Sequence, residues 1–345
     1  MKSRFVLFPL LLLLTQPPCL RAISETNFKS NFAQTILPFL NSGTRLSFQS
    51  ADGKYRLSGV LFQHPHARGM IVIVNGRTES WLKYGELFYD LYTQGYDLIS
   101  YDHRGQGLSP HLVSWNHQIG HVEHFCEYAA DLNKFMETVV KPIHPDSKNL
   151  FLIANSMGGA IAAEYLEDHN NPPPFQAVVL SAPMLEINTK PYPEWFAQLM
   201  VGTLTEIGFG KHYAIGQHDS SLTAPFDHNP VTGSQARWWS YGMAAILHPE
   251  IKLGGPSNGW VATSLSETKR IRKEISRITC PVLILSAGRD EFVLNQPLSE
   301  AISRMPKAHL LKFPTSLHGI LVESDEIRSK ALRAIERFFA KHSSR

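Results

Sequence analysis

The stretch 150-LFLIANSMGGA-160 is an apolar run that ends in Asn155-Ser156 and turns at once into two glycines. A strand that delivers a serine to a glycine corner has two readings. One is a tight strand-to-helix turn; the other is a nucleophile lifted above a sheet. A nucleophile elbow needs small residues two before and two after the serine, so that strand and helix approach closely. Ala154 and Gly158 hold those positions, and 160-AIAAEYLEDH-169 supplies the helix that must follow.

A serine hydroxyl is a weak nucleophile and needs a base, itself oriented by an acid. In elbow enzymes these follow the serine in the order acid, then histidine. The apolar run 282-VLILSA-287 ends in Gly288-Arg289-Asp290, and 309-HLLKFP-314 is followed by 315-TSLHGI-320. Each puts one candidate, Asp290 or His318, just past a strand end. Asp290 would hold the imidazole of His318 in one tautomer, and His318 would take the proton of Ser156. Upstream, 70-MIVIV-74 runs into 75-NGRTES-80. The backbone N–H of Arg77, with that of Met157, would then form the oxyanion hole.

Order and context separate the competing assignments. Sixteen histidines make chance pairings easy. Asp102-His103 follows a strand but precedes Ser156, so 102-DHRGQG-107 reads as loop-building. Glu291 is the alternative acid to Asp290. His121 and His124 have a ligand-like spacing, but no H-E-x-x-H or cysteine cluster accompanies them, so surface or capping roles are expected. The constellation calls for no cofactor and no metal.

The remaining runs fit the same plan. Segments 70–75, 97–102, 149–154, 177–182, 282–287 and 309–314 are continuously apolar, as strands buried on both faces of a parallel sheet must be. Two more strands are expected in 44–50 and 55–63, joined at Asp52-Gly53. Helical patterns lie between, in 121–140 and 326–342, each with one apolar face for the sheet. The alternation implies an α/β fold with a mostly parallel central sheet flanked by helices. Residues 185–275 break the rhythm and read as a helical cap, rich in aromatics and Met, between core parts 44–184 and 276–345. Ligands of open α/β sheets bind beyond the strands' carboxyl ends, where such a cap would lie.

Composition excludes little beyond this. A net charge of +3 over 345 residues, with no long basic run, argues against a nucleic-acid partner. Lys2 and Arg4 precede 5-FVLFPLLLLL-14, and a small residue follows at Ala22. Residues 1–22 therefore read as a signal peptide, predicting export to the periplasm or cell envelope. An uncleaved, membrane-associated start is the alternative, and 23–43 is a lead-in to the core. Beyond Cys19, two cysteines, Cys126 and Cys280, are too few for a disulfide framework. The sequence assigns no oligomeric state.

From Thr44 onward the sequence resembles the α/β-hydrolase superfamily, and within it the bacterial lysophospholipases and monoacylglycerol lipases. The segments that carry the resemblance include 75-NGRTESWLKYGELFYDLYTQGYDLISYDHRGQGLS-109, 119-IGHVEHFCEYAADL-132, 154-ANSMGGA-160 and 253-LGGPSNGWV-261. Gly76-Arg77 followed by Glu79-Ser80 looks more like the lysophospholipase branch. The resemblance implies Ser156 as nucleophile, Asp290 as acid and His318 as base, with Arg77 and Met157 as oxyanion donors. Two positions depart from the family pattern. Asn155 stands where the family usually has His, and Gly319 where it often has Glu. The implied activity is a lysophospholipase that releases a fatty acid through an acyl-enzyme. A lipid substrate and peripheral membrane contact go with it. A monoacylglycerol lipase or general carboxylesterase is the alternative, and a non-catalytic binding protein on the same fold is the remote one.

Overall fold

The structure is a computed structural model that describes residues 22–169, 173–220 and 225–344. All eight expected strands are present: β1 (Thr44–Gln49), β2 (Arg56–Phe62), β3 (Met70–Val74), β4 (Asp97–Tyr101), β5 (Leu150–Asn155), β6 (Ala177–Ser181), β7 (Val282–Ala287) and β8 (Ala308–Phe313). They form one sheet in the order β1-β2-β4-β3-β5-β6-β7-β8. β2 pairs antiparallel with β1 and β4, and every pairing from β4 to β8 is parallel. β5 is therefore central, and all six of its residues are buried.

The continuous apolar runs have a direct cause. Successive side chains of a strand point to opposite faces, and both faces of this sheet are covered. Val72, Leu152 and Ala154 enter one core with Tyr128, Leu132 and Ile161. Ile71, Phe151 and Ile153 enter the other with Leu87, Phe88, Ile335 and Phe339.

The chain leads in through α1 (Phe28–Asn31) and α2 (Leu37–Ser42). The helices between and after the strands are α3 (Gly85–Tyr92), α4 (Cys126–Phe135), α5 (Lys141–Ile143), α6 (Met157–Asp168), α10 (Asn295–Ser303) and α11 (Asp325–His342). Between β6 and β7 the chain runs through α7 (Glu194–Leu204), α8 (Gln235–Leu247) and α9 (Asn258–Glu274). α8 is tied to the core through Arg237, which donates to Glu86 of α3 at 2.9 Å and to Asp325 of α11 at 2.8 Å. Trp260 of α9 is buried, whereas Trp195, Leu199, Ile207, Phe209 and Ile215 are exposed.

One helix is shorter than its pattern. The periodic segment 121–140 is helical only from Cys126. The preceding residues are held by α9 instead: the Phe125 N–H donates to Thr263 Oγ1 at 2.9 Å, and Gly120 bridges to Pro256. Cys126 and Cys280 are free thiols, the first exposed and the second buried. The signal-like run, with Cys19, lies outside the described residues. Among the described residues, no helix is long and apolar enough to cross a membrane.

Candidate active site

Ser156 sits between β5 and α6 with φ 53° and ψ −117°. A non-glycine residue with positive φ carries a strain of about 1–3 kcal/mol, which the surroundings must hold in place. The Ser156 N–H donates to Ser181 O at 2.9 Å, and its carbonyl accepts from Gly159 and Met184 at 2.8 and 2.9 Å. All three anchors are backbone groups, so the turn does not depend on the serine hydroxyl. Gly158 is required by close packing. A Cβ there would collide with Val74 O of β3 and stand 2.6 Å from Asn75 O. The glycine lets α6 start directly against the neighbouring strand.

Asp290 and His318 meet beyond the ends of β7 and β8. His318 Nδ1 lies 2.6 Å from Asp290 Oδ2, and the Asp290 side chain is fully buried. The other carboxylate oxygen accepts the Phe292 and Val293 N–H groups at 2.9 and 3.0 Å. Asp290 Oδ2 is thus free to accept only from the imidazole. A carboxylate at Nδ1 puts the neutral ring's proton there and leaves Nε2 as a proton acceptor. Phe292 packs edge-on to the His318 ring at 5.0 Å. Glu291 is exposed and does not contact the imidazole; its carbonyl accepts from Asn188.

The loop after β3 lies against the elbow. A Cβ on Gly76 would be 3.1 Å from Ser156 Cβ. Among the described residues, neither the Arg77 nor the Met157 N–H has a protein acceptor. Met157 opens α6, where the first N–H groups have no intrahelical partner and the helix dipole favours negative charge. Met157 follows Ser156 in the chain and Arg77 follows Gly76, so both unengaged N–H groups belong to segments that adjoin the elbow.

Residues 65–325 match the family model described as serine aminopeptidase, S33. The chain belongs to this family of α/β hydrolases. It is 33% identical to the probable lysophospholipase L2 of Haemophilus influenzae, over 92% of this chain and 98% of the relative. It is 34% identical to lysophospholipase L2 of Escherichia coli K12, over 83% and 84%. A soluble variant of the Saccharomyces cerevisiae monoglyceride lipase, solved with a substrate analogue, shares the fold at a TM-score of 0.70 and 18% identity. That likeness covers 88% of this chain and 96% of that one.

Within this α/β hydrolase, the structure answers what Asn155 does. Its amide nitrogen lies 3.3 Å from both carboxylate oxygens of buried Glu79. Glu79 also accepts from the Gly76 N–H, from the Tyr84 hydroxyl, and from the Tyr241 hydroxyl of α8 at 3.1 Å. Burial and the Glu79 charge push both phenols well above their ordinary range, so both remain donors. One carboxylate thus ties the residue before Ser156, the 76–79 loop and α8 together. Sequence reasoning missed Glu79. Its signals were an acidic residue in the 75–80 loop and its place in the Gly76-Arg77, Glu79-Ser80 pattern, neither of which indicated its partners.

Asp102 and His103 build that same loop. Asp102 accepts from Asn75 Nδ2 (3.0 Å), Ser80 Oγ (2.7 Å), Trp81 N–H (2.8 Å) and Leu108 N–H (2.8 Å). Burial still raises its carboxyl to about 6. His103 Nε2 donates to Asn75 O at 3.0 Å, and burial lowers its pKa to about 4, so the ring is neutral. Of the surface or capping roles expected of it, His121 does not take the surface one. It is buried, with Nδ1 2.8 Å from Ser257 Oγ, because the 119–121 segment is clamped beneath the start of α9. His124 is exposed. Among the described residues, no group of three or more His, Cys, Asp or Glu side chains is placed to hold a metal ion.

Proposed function

We propose that this chain hydrolyses the single acyl ester of a lysophospholipid through an acyl-enzyme on Ser156. The reading is carried by the Asp290–His318 pair at 2.6 Å, formed by residues that follow the elbow serine in acid-then-histidine order. The two lysophospholipase relatives, matched over most of their length, support the substrate class.

In this mechanism the Ser156 hydroxyl adds to the ester carbonyl and its proton passes to His318 Nε2. Asp290 stabilises the imidazolium through Nδ1–H. The oxyanion of the tetrahedral intermediate takes the Arg77 and Met157 N–H groups. On collapse, His318 protonates the glycerophospho alkoxide as it leaves. A water deprotonated by His318 then attacks the acyl-enzyme, and the fatty acid and Ser156 separate.

Glu79 acts through the loop rather than on the substrate. A glutamine there would place an NH2 donor where two or more donors now converge. The Gly76–Arg77 backbone would shift, and displacements of that kind cost up to about 100-fold. We expect Glu79→Gln to lower kcat about 10- to 100-fold while KM changes less than about threefold. An equal rise in KM would assign Glu79 to substrate binding instead.

The substrate class is tested by rates on a lysophospholipid, a monoacylglycerol of the same acyl chain and a short aryl ester. The lysophospholipid is expected to have the highest kcat/KM. Dominant turnover of the monoacylglycerol would transfer the assignment to a monoacylglycerol lipase, and dominant turnover of the aryl ester to a general carboxylesterase. Failure of a serine-directed probe to label the folded protein would favour a binding role. We also propose that the chain is exported through residues 1–22. Its exposed apolar side chains on and after α7, including Trp195, Leu199 and Ile207, would then meet the lipid surface. Amino-terminal sequencing of the mature protein tests the export.

A further inference from the structure

Among the described residues, three guanidinium groups are buried almost completely, and each has carboxylate partners. Arg104 has Asp131, Asp52 and Glu127; Arg237 has Glu86 and Asp325; Arg328 has Asp90 and Glu86. Arg77 is the exception. Its Nη2 donates to Gly254 O at 2.6 Å, and its guanidinium lies 5.2 Å from the centre of the Trp260 ring. Its Nε is buried and has no hydrogen-bond partner among the described residues. The ionisable groups that act on it are the phenols of Tyr128 and Tyr213, with no carboxylate among them. Asp219, on the adjoining loop, is exposed and engaged by Asn116 and Tyr213.

A charge held out of water without a counter-ion is costly, and the structure is built to keep this one. Gly120 makes the room: a Cβ there would be 2.7 Å from Nη2. Burial lowers the guanidinium to about 10, so it is still charged at neutral pH. Arg77 as a whole keeps partial solvent access. A cation–π face and one carbonyl fix the group's plane while its remaining N–H donors stay available. The donor fork of a guanidinium matches the oxygens of a phosphate.

We propose that the Arg77 side chain receives the anionic phosphodiester of the leaving group, making Arg77 a specificity-determining residue for lysophospholipids over neutral glycerides. The inference rests on the lysophospholipase reading above. Its geometry follows from a single residue serving twice. Arg77 directly follows Gly76, whose Cβ position would be 3.1 Å from Ser156 Cβ; with its N–H assigned to the ester oxyanion, its guanidinium is one side chain away. In a lysophospholipid the phosphate is one glycerol unit from that carbonyl.

Two measurements test it. The first compares kcat/KM of wild type, Arg77→Lys and Arg77→Met on a lysophospholipid and a monoacylglycerol of matched chain, below their micellar concentrations. The ratio of the two should fall about 10- to 100-fold in Arg77→Met, with Arg77→Lys between, as expected for losing hydrogen bonds to a charged group. An unchanged ratio overturns the proposal, whether both rates fall or neither does. The second uses aryl-ester hydrolysis with glycerophosphoethanolamine or glycerol as inhibitor. The phosphodiester should inhibit wild type at concentrations where glycerol does not, and its Ki should rise at least about tenfold in Arg77→Met. Absence of inhibition in wild type, or equal inhibition in the variant, also overturns it. A wild type that hydrolyses aryl esters but not lysophospholipids refutes the substrate reading, and the inhibition experiment still judges Arg77.

Discussion

Ser156→Ala is expected to lose ester hydrolysis by about 10⁶-fold in kcat, the size of loss seen when the nucleophile of a serine triad is removed. The fold should not register the change. Every hydrogen bond that holds the Ser156 turn uses its backbone, and alanine bears the same positive φ no worse than serine. The melting temperature should therefore stay within about 2 °C of wild type, as for a substitution worth less than roughly 0.5 kcal/mol. Steady-state kinetics with a parallel thermal melt check both halves. A well-folded Ser156→Ala protein with more than a few per cent of wild-type activity would remove Ser156 from the mechanism.

Asp290→Asn is the second large effect, and its cause can be traced to single atoms. Asp290 Oδ1 accepts two backbone N–H groups, from Phe292 and Val293. The oxygen of asparagine must take that position, because an amide nitrogen there would face two donors. The amide nitrogen is then forced toward His318 Nδ1, where Oδ2 now sits at 2.6 Å. It can only donate, so the ring must present an unprotonated Nδ1 and carry its proton on Nε2. That tautomer cannot accept the serine proton, and kcat should fall about 10⁴-fold. Glu291→Gln, altering an exposed side chain next door, should retain wild-type rates. The comparison is a kinetic one: comparable losses in the two variants would mean that position 290 has no special role.

The two variants probe what could be read along the chain. The inner strands β3, β5, β6 and β7 announced themselves by continuous apolar runs, because a strand covered on both faces has no polar side to show. Strand ends carried the rest of the signal. Ser156, Asp290 and His318 each follow such a run directly, so finding the strands located the residues. Helix 121–140 was overextended for the converse reason. Periodicity marks which side chains are buried, and His121, Val122 and Phe125 are buried beside α9 without being helical.

The less legible part of the site consists of contacts between segments far apart in sequence. Asn155 and Glu79 meet because β5 and β3 are sheet neighbours, and Tyr241 reaches Glu79 from a helix between β6 and β7. His121 reads as a surface residue until Ser257 and the start of α9 are placed over it. Local sequence marks Arg77 by its backbone position after β3, but not the environment of its guanidinium, which Gly254 and Trp260 supply from far along the chain. By itself the sequence determined the eight strands, several of the helices that cover them and the chain order of serine, acid and histidine, since hydrophobic periodicity and turn chemistry are local. Only the tertiary structure decided which carboxylate holds the loop beside Ser156, and that Arg77 lies half-buried with no carboxylate partner among the described residues, because pairing of charges and burial depend on which distant segments fold together.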